Sequence, residues 1–465
     1  MTASRSGTIN ALAEVLGGAP VPVDVFAAAV DELEVAATLE SCGLSNSVAR
    51  DRLGLPDVFS FANQLYSEVE AKPAAATDPR LPRPGNVGDL ARGLVFATPT
   101  LMFAGAAVGF RSLVSWWTMP LALICGWGFS QLVAYAGFSR AAYKEPAGPV
   151  AAWAVLGAIA VCGSLGLAGH EVLGGNIYGV ALAAGASAFM AASAELVVHA
   201  KEALIAALFL PGALASLIFI LHEPVALPAS VAVVVAGLGV AGTFVAAARL
   251  FPRHWWRSAP LAGTNKMTAA GYFTEGLCLG LFIAILLVLE PAKGKAQSWP
   301  GMAAYPMILS LGVMEWQLRS FRSRARRRLI ATRSVREFSR ASRAELARST
   351  FIYLVVLAAV TAGLDVLSKA KGIVYPETLL IAGTCLAVGF FLALMLAVCG
   401  RIDLAVKSWA PGIGVLGAWG LLVVAAGAHW SLANGRLALC IAAAVALAAL
   451  IMAAGSAVTY PFSHG

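Results

Sequence analysis

In a chain this apolar, chemistry falls to the few ionisable side chains, and Glu275 is the one whose neighbours in sequence offer it no partner. The residues three and four positions away are Gly271, Tyr272, Cys278 and Leu279, none of them basic. It stands inside the apolar run Thr268 to Leu289, roughly 10 Å along a helix from its start. A carboxylate at that depth is costly unless it faces a cavity, pairs with another helix or carries a proton. The chemistry expected of it is binding a proton, a cation or a polar group of a substrate. The competing expectation is that it reaches the cytoplasmic interface or pairs with a basic group on another span. Gln131, in the middle of the run Trp117 to Phe138, and Arg111, just after the first run, are the other expected cavity residues. For Gln131 the ordinary role is an interhelical hydrogen bond, worth about 1 kcal/mol.

The remaining acids within or beside apolar runs have local partners at helical spacing. Glu315 precedes Arg319 by four residues, Asp365 precedes Lys369, Glu195 precedes His199, and Glu290 has Lys293 three residues on. Such spacing puts both groups on one helix face, so local pairing or snorkelling near a boundary is expected. Pro99, Pro211 and Pro306 interrupt apolar runs. Each removes a backbone donor and kinks a helix, whether for packing or for movement.

The elements that must position these residues are membrane spans. Of 465 residues 59% are hydrophobic and 12% charged, against about 45–50% and 25% in soluble domains. The apolar residues come in twelve runs of about 17–25, the length that crosses roughly 30 Å of hydrocarbon. The first six are Gly93 to Phe110, Trp117 to Phe138, Val150 to Gly169, Leu173 to Leu196, Ala203 to Leu221 and Ala226 to Ala248. The second six are Thr268 to Leu289, Gly301 to Leu318, Phe351 to Leu367, Thr378 to Cys399, Gly412 to Ala428 and Arg436 to Tyr460. With this division, the loops on one side hold 23 Lys and Arg and those on the other hold 6, the remaining 4 of the 33 lying in the N-terminal region. Positive loops stay in the cytoplasm, so the expectation is an all-α, multi-pass protein of the inner (plasma) membrane with both termini cytoplasmic. The first run begins behind about ninety polar or mixed residues, too deep for a cleaved leader. Trp116, Trp117, Trp255, Trp256, Trp299 and Trp430 fall near run ends, as an aromatic belt would place them.

The expected organisation is an acidic helical cytoplasmic unit at 1–78, a Pro-rich linker at 79–92, a six-span lobe at 93–248, a cytoplasmic linker at 249–267, and a second six-span lobe at 268–465. The N-terminal unit has eleven carboxylates and four basic groups, or −7. Val25 to Cys42 is apolar at helical spacing, Gly43 is a stop signal, and Pro56-Asp57 opens a helix over Val58 to Val69. Leu39 to Phe61 has the outline of a helix-turn-helix, but DNA reading needs a basic face, so no nucleic-acid partner is expected.

Residues 319–348 hold eleven arginines and two glutamates, +9 against +8 for the whole chain. Among them are Arg319, Arg322, Arg326, Arg327, Arg328, Arg333, Arg336 and Arg340. Leu318, Phe321, Ala325 and Leu329 recur at helical spacing, and Val335, Phe338 and Leu346 roughly continue the stripe. The expected form is one or two amphipathic helices along the inner leaflet. Three uses compete: fixing topology by binding anionic membrane lipids, docking the acidic unit at 1–78, and contacting phosphate on a lipid-linked substrate.

The chain has no GxxxxGK[ST], no HExxH and no large outer loop carrying paired acids. Its seven cysteines are scattered singly, without metal-ligand spacing. No enzyme activity, catalytic residue, metal or cofactor is therefore expected.

Twelve spans with a long basic insertion after the eighth, and the stretch Met314-Glu315-Trp316-Gln317-Leu318-Arg319-Ser320-Phe321-Arg322 with the arginine-rich helix after it, resemble the multidrug/oligosaccharidyl-lipid/polysaccharide flippase superfamily. The nearest likeness is to its Wzx and Pel-type polysaccharide exporters. The acidic N-terminal unit departs from that pattern, and no functional residue carries over. The resemblance implies a flippase or exporter of a lipid-linked saccharide or polysaccharide, working by alternating access. The alternative is a membrane scaffold that recruits cytoplasmic envelope-synthesis proteins and transports nothing.

Overall fold

A computed structural model describes residues 32–41, 44–68, 98–99, 102, 117–142, 148–222, 229–251, 255, 265–290, 302–331, 335–425 and 432–457. All regular structure among the described residues is helical. The chain divides into two compact units, one made of 1–84, 319–346 and 458–465, the other of 85–318 and 347–457.

In the first unit three short helices, α1 (Glu32–Ser41), α2 (Asn46–Leu53) and α3 (Val58–Glu68), enclose a small core. Val35, Leu39, Leu44, Val58, Phe61 and Leu65 are buried in it. Each large side chain removed from water contributes about 1.5–3 kcal/mol. Ser45 caps α2 by accepting from the Val48 amide, and Gly54 ends it at φ 68°, where a Cβ would be strained. Asn46 Oδ1 accepts from the Val58 amide at 2.9 Å, tying α2 to the start of α3. Asp57 accepts from the amide and hydroxyl of Ser60 at 2.7 and 2.8 Å, which caps α3. The helix expected to open at Pro56-Asp57 is present.

The rest of the described chain is mostly long apolar helices. They are α4 (Thr118–Ala142), α5 (Gly148–Leu173), α6 (Ile177–Val198), α7 (Glu202–His222), α8 (Ala229–Ala248), α9 (Lys266–Val288), α10 (Tyr305–Leu309), α11 (Leu311–Ala331), α12 (Val335–Ala370), α13 (Glu377–Val398), α14 (Ile402–Ala425) and α15 (Leu432–Ala457), with α11 and α12 running from the second unit into the 319–346 part of the first. Eight of these, α4, α5, α6, α9, α12, α13, α14 and α15, are long and apolar enough to cross a membrane. Two more, α7 and α8, are apolar over shorter described stretches, Ala203–Ala215 and Gly237–Ala248. The expected first span, Gly93 to Phe110, falls outside the described residues except at isolated positions.

Two expectations change here. The run Gly301 to Leu318 is not one continuous span: Met302–Ala304 is a 3-10 turn, α10 stops at Ser310, and α11 begins at Leu311. Pro306 lies in the first turn of α10, where its fixed φ and missing amide suit a helix start, so it opens a helix and does not kink one. The arginine-rich segment is also not a separate surface element. Its first part is the continuation of α11 and its second part the beginning of α12. The 36 residues of α12 extend about 54 Å, far more than the roughly 30 Å of hydrocarbon, so the basic end is surplus to the crossing length.

Packing in the second unit is arranged around α9. One set, α4, α5 and α6, packs mutually, with α8 on α6 and α7 on α8. Another set, α13, α14 and α15, also packs mutually. Helix α9 lies closely against α4 and also contacts α13, α14 and α15, so it joins the two sets. Small residues make the helix contacts close: Ser187 Oγ on α6 donates to the Ala122 carbonyl on α4 at 3.0 Å. Trp117, at the start of α4, is buried and donates Nε1–H to the Gly174 carbonyl at 3.3 Å.

Candidate functional site

Helix α9 carries the candidate site because of what its sequence places on adjacent faces. Gly276 and Gly280 form a GxxxG pair toward α4. A Cβ at Gly276 would stand 2.5 Å from the Trp127 carbonyl oxygen, and one at Gly280 would stand 2.8 Å from the Leu123 oxygen. The helices therefore touch backbone to backbone, which only glycine permits. Contacts of residues 124 with 280, 127 with 276 and 129 with 273 show that α4 and α9 run antiparallel. Tyr135 stacks on Tyr272 with ring centroids 4.6 Å apart, and Phe129 meets Phe273 edge-on at 5.1 Å.

Glu275 lies on the neighbouring face of α9. Gly271, one turn before it, meets Ile402 of α14, and Phe282, two turns on, lies 5.3 Å from the Trp409 ring. Glu275 shares that stripe, turned toward α14. Its side chain is 2% exposed and Oε1 has no hydrogen-bond partner. No ion pair to it exists among the described residues. The nearest titratable neighbour is Cys278, one turn on. Among the described residues, neither snorkelling nor a pair with another span is the arrangement of Glu275. On the same interface Trp409 is buried with its Nε1–H also without an acceptor. A buried acceptor and a buried donor left unmatched at one helix contact each cost about 1–3 kcal/mol, a cost usually explained by function or by a bound water or ion.

Gln131 lies on α4 on the stripe that also holds Gly128 and Tyr135, both of which contact α9. The structure thus brings Gln131 and Glu275 to one helix pair, without a hydrogen bond between them. Arg111 lies outside the described residues.

The other intramembrane acids follow their expected pairing where it is described. Asp365 receives Lys369 Nζ at 2.7 Å. Glu195, fully buried, has His199 Nδ1 at 3.4 Å. For Glu290 the expected partner Lys293 lies outside the described residues, and the Glu290 carboxylate stands beside the Tyr375 phenol. Burial, reinforced by that carboxylate, holds the Tyr375 phenol far above its ordinary range. Arg436 Nε donates to the Leu289 carbonyl at 3.0 Å nearby.

At the other candidate region, the arginine-rich ends of α11 and α12 are joined by an ion pair between Arg324 Nε and Glu345 Oε1. Arg327 Nη2 donates to Ser323 Oγ at 2.9 Å. Phe321, Ala325, Phe338 and Leu346 are buried, while Arg319, Arg322, Arg327, Arg328, Arg336, Arg340, Arg343 and Arg348 are exposed. Arg326 is half-buried, and Arg333 lies outside the described residues. The apolar stripe read from the sequence is therefore buried at Phe321, Ala325, Phe338 and Leu346.

Sequence reading missed the Gly276–Gly280 pair, although GxxxG was visible in the run, and missed Trp409, whose role depends on a contact between helices distant in sequence. It also missed Gln317, which is fully buried with neither amide atom hydrogen-bonded. Among the described residues no group of His, Cys, Asp and Glu is arranged to hold a metal ion.

Compared with known proteins, the chain matches no family model, no curated protein and no solved structure.

Proposed function

We propose that this chain is a multi-pass transporter of the inner membrane, a flippase or exporter that moves a lipid-linked saccharide or polysaccharide by alternating access. The observation that carries the reading is Glu275: a buried, unpartnered carboxylate on the helix that joins two helix sets. In the proposed cycle the α4–α5–α6 set and the α13–α14–α15 set rock about the α4–α9 contact, and Glu275 is exposed to alternate sides. Its role is to take up a proton, a cation or a polar substrate group, with Gln131 supplying a hydrogen bond from α4. The saccharide class rests on the span layout and on the segment from Met314 to Arg322. An even number of crossings would place both termini in the cytoplasm.

The test is translocation of a fluorescent polyprenyl-diphosphate oligosaccharide in proteoliposomes. Accelerated movement across the bilayer relative to protein-free vesicles is expected. A rate equal to that of protein-free vesicles, from protein that remains folded, would remove the proposal.

A second reading has one observation in its favour. Arg322, Arg336, Arg340, Arg343 and Arg348 are exposed and make no ion pair among the described residues, so the basic hairpin has charge available for a partner. As a scaffold the chain would recruit cytoplasmic envelope-synthesis proteins through it. Capture of the same enzymes by the wild type and by a chain with Arg322, Arg340 and Arg343 changed to Glu would count against that reading.

A further inference from the structure

We propose that the exposed arginine face of the α11–α12 hairpin is the docking surface for the chain's own acidic N-terminal helices, α1 to α3. This does not depend on whether the protein transports.

Charge is the first argument. The hairpin segment carries +9 and residues 1–78 carry −7. Within the hairpin the arginines are ordered: Arg319, Arg322 and Arg326 share one stripe of α11, and Arg336, Arg340 and Arg343 share one stripe of α12. The second stripe covers about 10 Å from first to last, at 1.5 Å per residue. On α1, Glu32 and Glu40 are exposed and stand about 12 Å apart by the same rise. Glu34 and Asp51 add exposed carboxylates on α1 and α2. The two charged segments are of similar length, and Arg–carboxylate pairs can form bidentately where they meet.

Placement is the second argument. Residues 1–84 and 319–346 belong to one compact unit, although more than two hundred residues of membrane helices separate them in sequence. Tethering is the third. Two segments of one chain meet at effective concentrations on the order of millimolar, which compensates for the weakness of exposed ion pairs, roughly 0–1 kcal/mol each. The apolar side chains Leu33 and Phe59, 60% and 49% exposed on α1 and α3, supply contact area beyond charge.

An anionic lipid surface would attract the same arginines. Against it as the primary occupant stands the burial of the hairpin's large apolar residues: Phe321, Phe338 and Leu346 are not available to enter a leaflet.

The experiment uses the full-length chain in nanodiscs with Arg340→Lys and Arg343→Lys. No lysine occurs between 319 and 348 or between 32 and 68, so a carbodiimide, which joins amines to carboxylates, can link these two segments only through the introduced amines. Within the monomer, links to carboxylates in 32–68 are expected. They are expected to disappear in 1 M salt, where the Debye length falls to about 3 Å, and with Glu32→Gln and Glu40→Gln together. Three results would overturn the proposal: absence of any link to 32–68, links formed only between two differently labelled copies, or links present in neutral nanodiscs but lost in anionic ones. The last would assign the arginine face to lipid phosphate.

Discussion

A Cβ at Gly276 would stand 2.5 Å from the carbonyl oxygen of Trp127. The α4 and α9 backbones are in direct contact at that point, and any side chain there must push them apart. Extra methylenes in a packed interior cost about 1–3 kcal/mol. Gly276→Ala and Gly280→Ala are each expected to lower thermal stability in detergent by an amount in that range. Gly185→Ala, where nothing lies within 4 Å, is the control and is expected to leave the transition unchanged. Equal melting of all three variants and wild type would refute backbone contact.

The Arg324–Glu345 pair holds the basic hairpin, with Arg324 29% and Glu345 6% exposed. Arg324→Ala leaves the buried carboxylate without its ion-pair partner. The expected cost is about 1–3 kcal/mol, read as faster proteolysis between α11 and α12. Arg324→Leu with Glu345→Leu should restore much of the protection, because removing both charges removes the desolvation cost.

Phe61 lies at the centre of the N-terminal core, 2% exposed. Phe61→Ala is expected to cost about 3–5 kcal/mol, enough to open a core this small. Limited proteolysis should then cut within 44–68, while thermal unfolding of the membrane helices stays as in wild type. Loss of both together would mean the two units do not fold independently.

Asp57 gives the N-terminal unit its own acid sensitivity. The amide and hydroxyl of Ser60 hold its carboxyl below the ordinary range, the amide having the larger effect. A depressed folded value means stabilisation that is complete above the unfolded pKa, about 3.9, and lost as pH falls through the lower folded value. Helix α3 should therefore loosen below about pH 4, as seen by amide exchange of residues 58–61. Asp57→Asn should flatten that dependence, and an unchanged pH profile would contradict the capping role.

Much of this architecture could be read from composition and periodicity because apolar runs of membrane length leave little freedom. Val150 to Gly169 and Thr268 to Leu289 fall within a few residues of α5 and α9. The helical form of the arginine segment was legible, but its continuity with the flanking helices escaped that reading because hydropathy does not show where a helix simply continues. The change at Phe351 from polar to apolar is a change of solvent within α12, not a change of structure. The broken stretch 302–310 escaped for a related reason: its residues are apolar enough for a span, but Pro306 and the Ser310 cap divide it. At the site, Glu275 was legible from its lack of basic neighbours at helical spacing. Trp409 was not, since only the packing of α9 on α14 brings it to the same interface.

Glu275 tests the central claim most directly. The measurement is the rate at which proteoliposomes translocate the fluorescent polyprenyl-diphosphate oligosaccharide, taken across pH 5–9 for the wild type, Glu275→Gln and Glu275→Asp, with folding verified by thermal stability. The account predicts that Glu275→Gln lowers the rate at least about tenfold, equivalent to roughly 1.4 kcal/mol in the barrier, and removes its pH dependence. Glu275→Asp should retain a pH-dependent rate. A Glu275→Gln protein that transports at the wild-type rate with the wild-type pH profile would contradict the account.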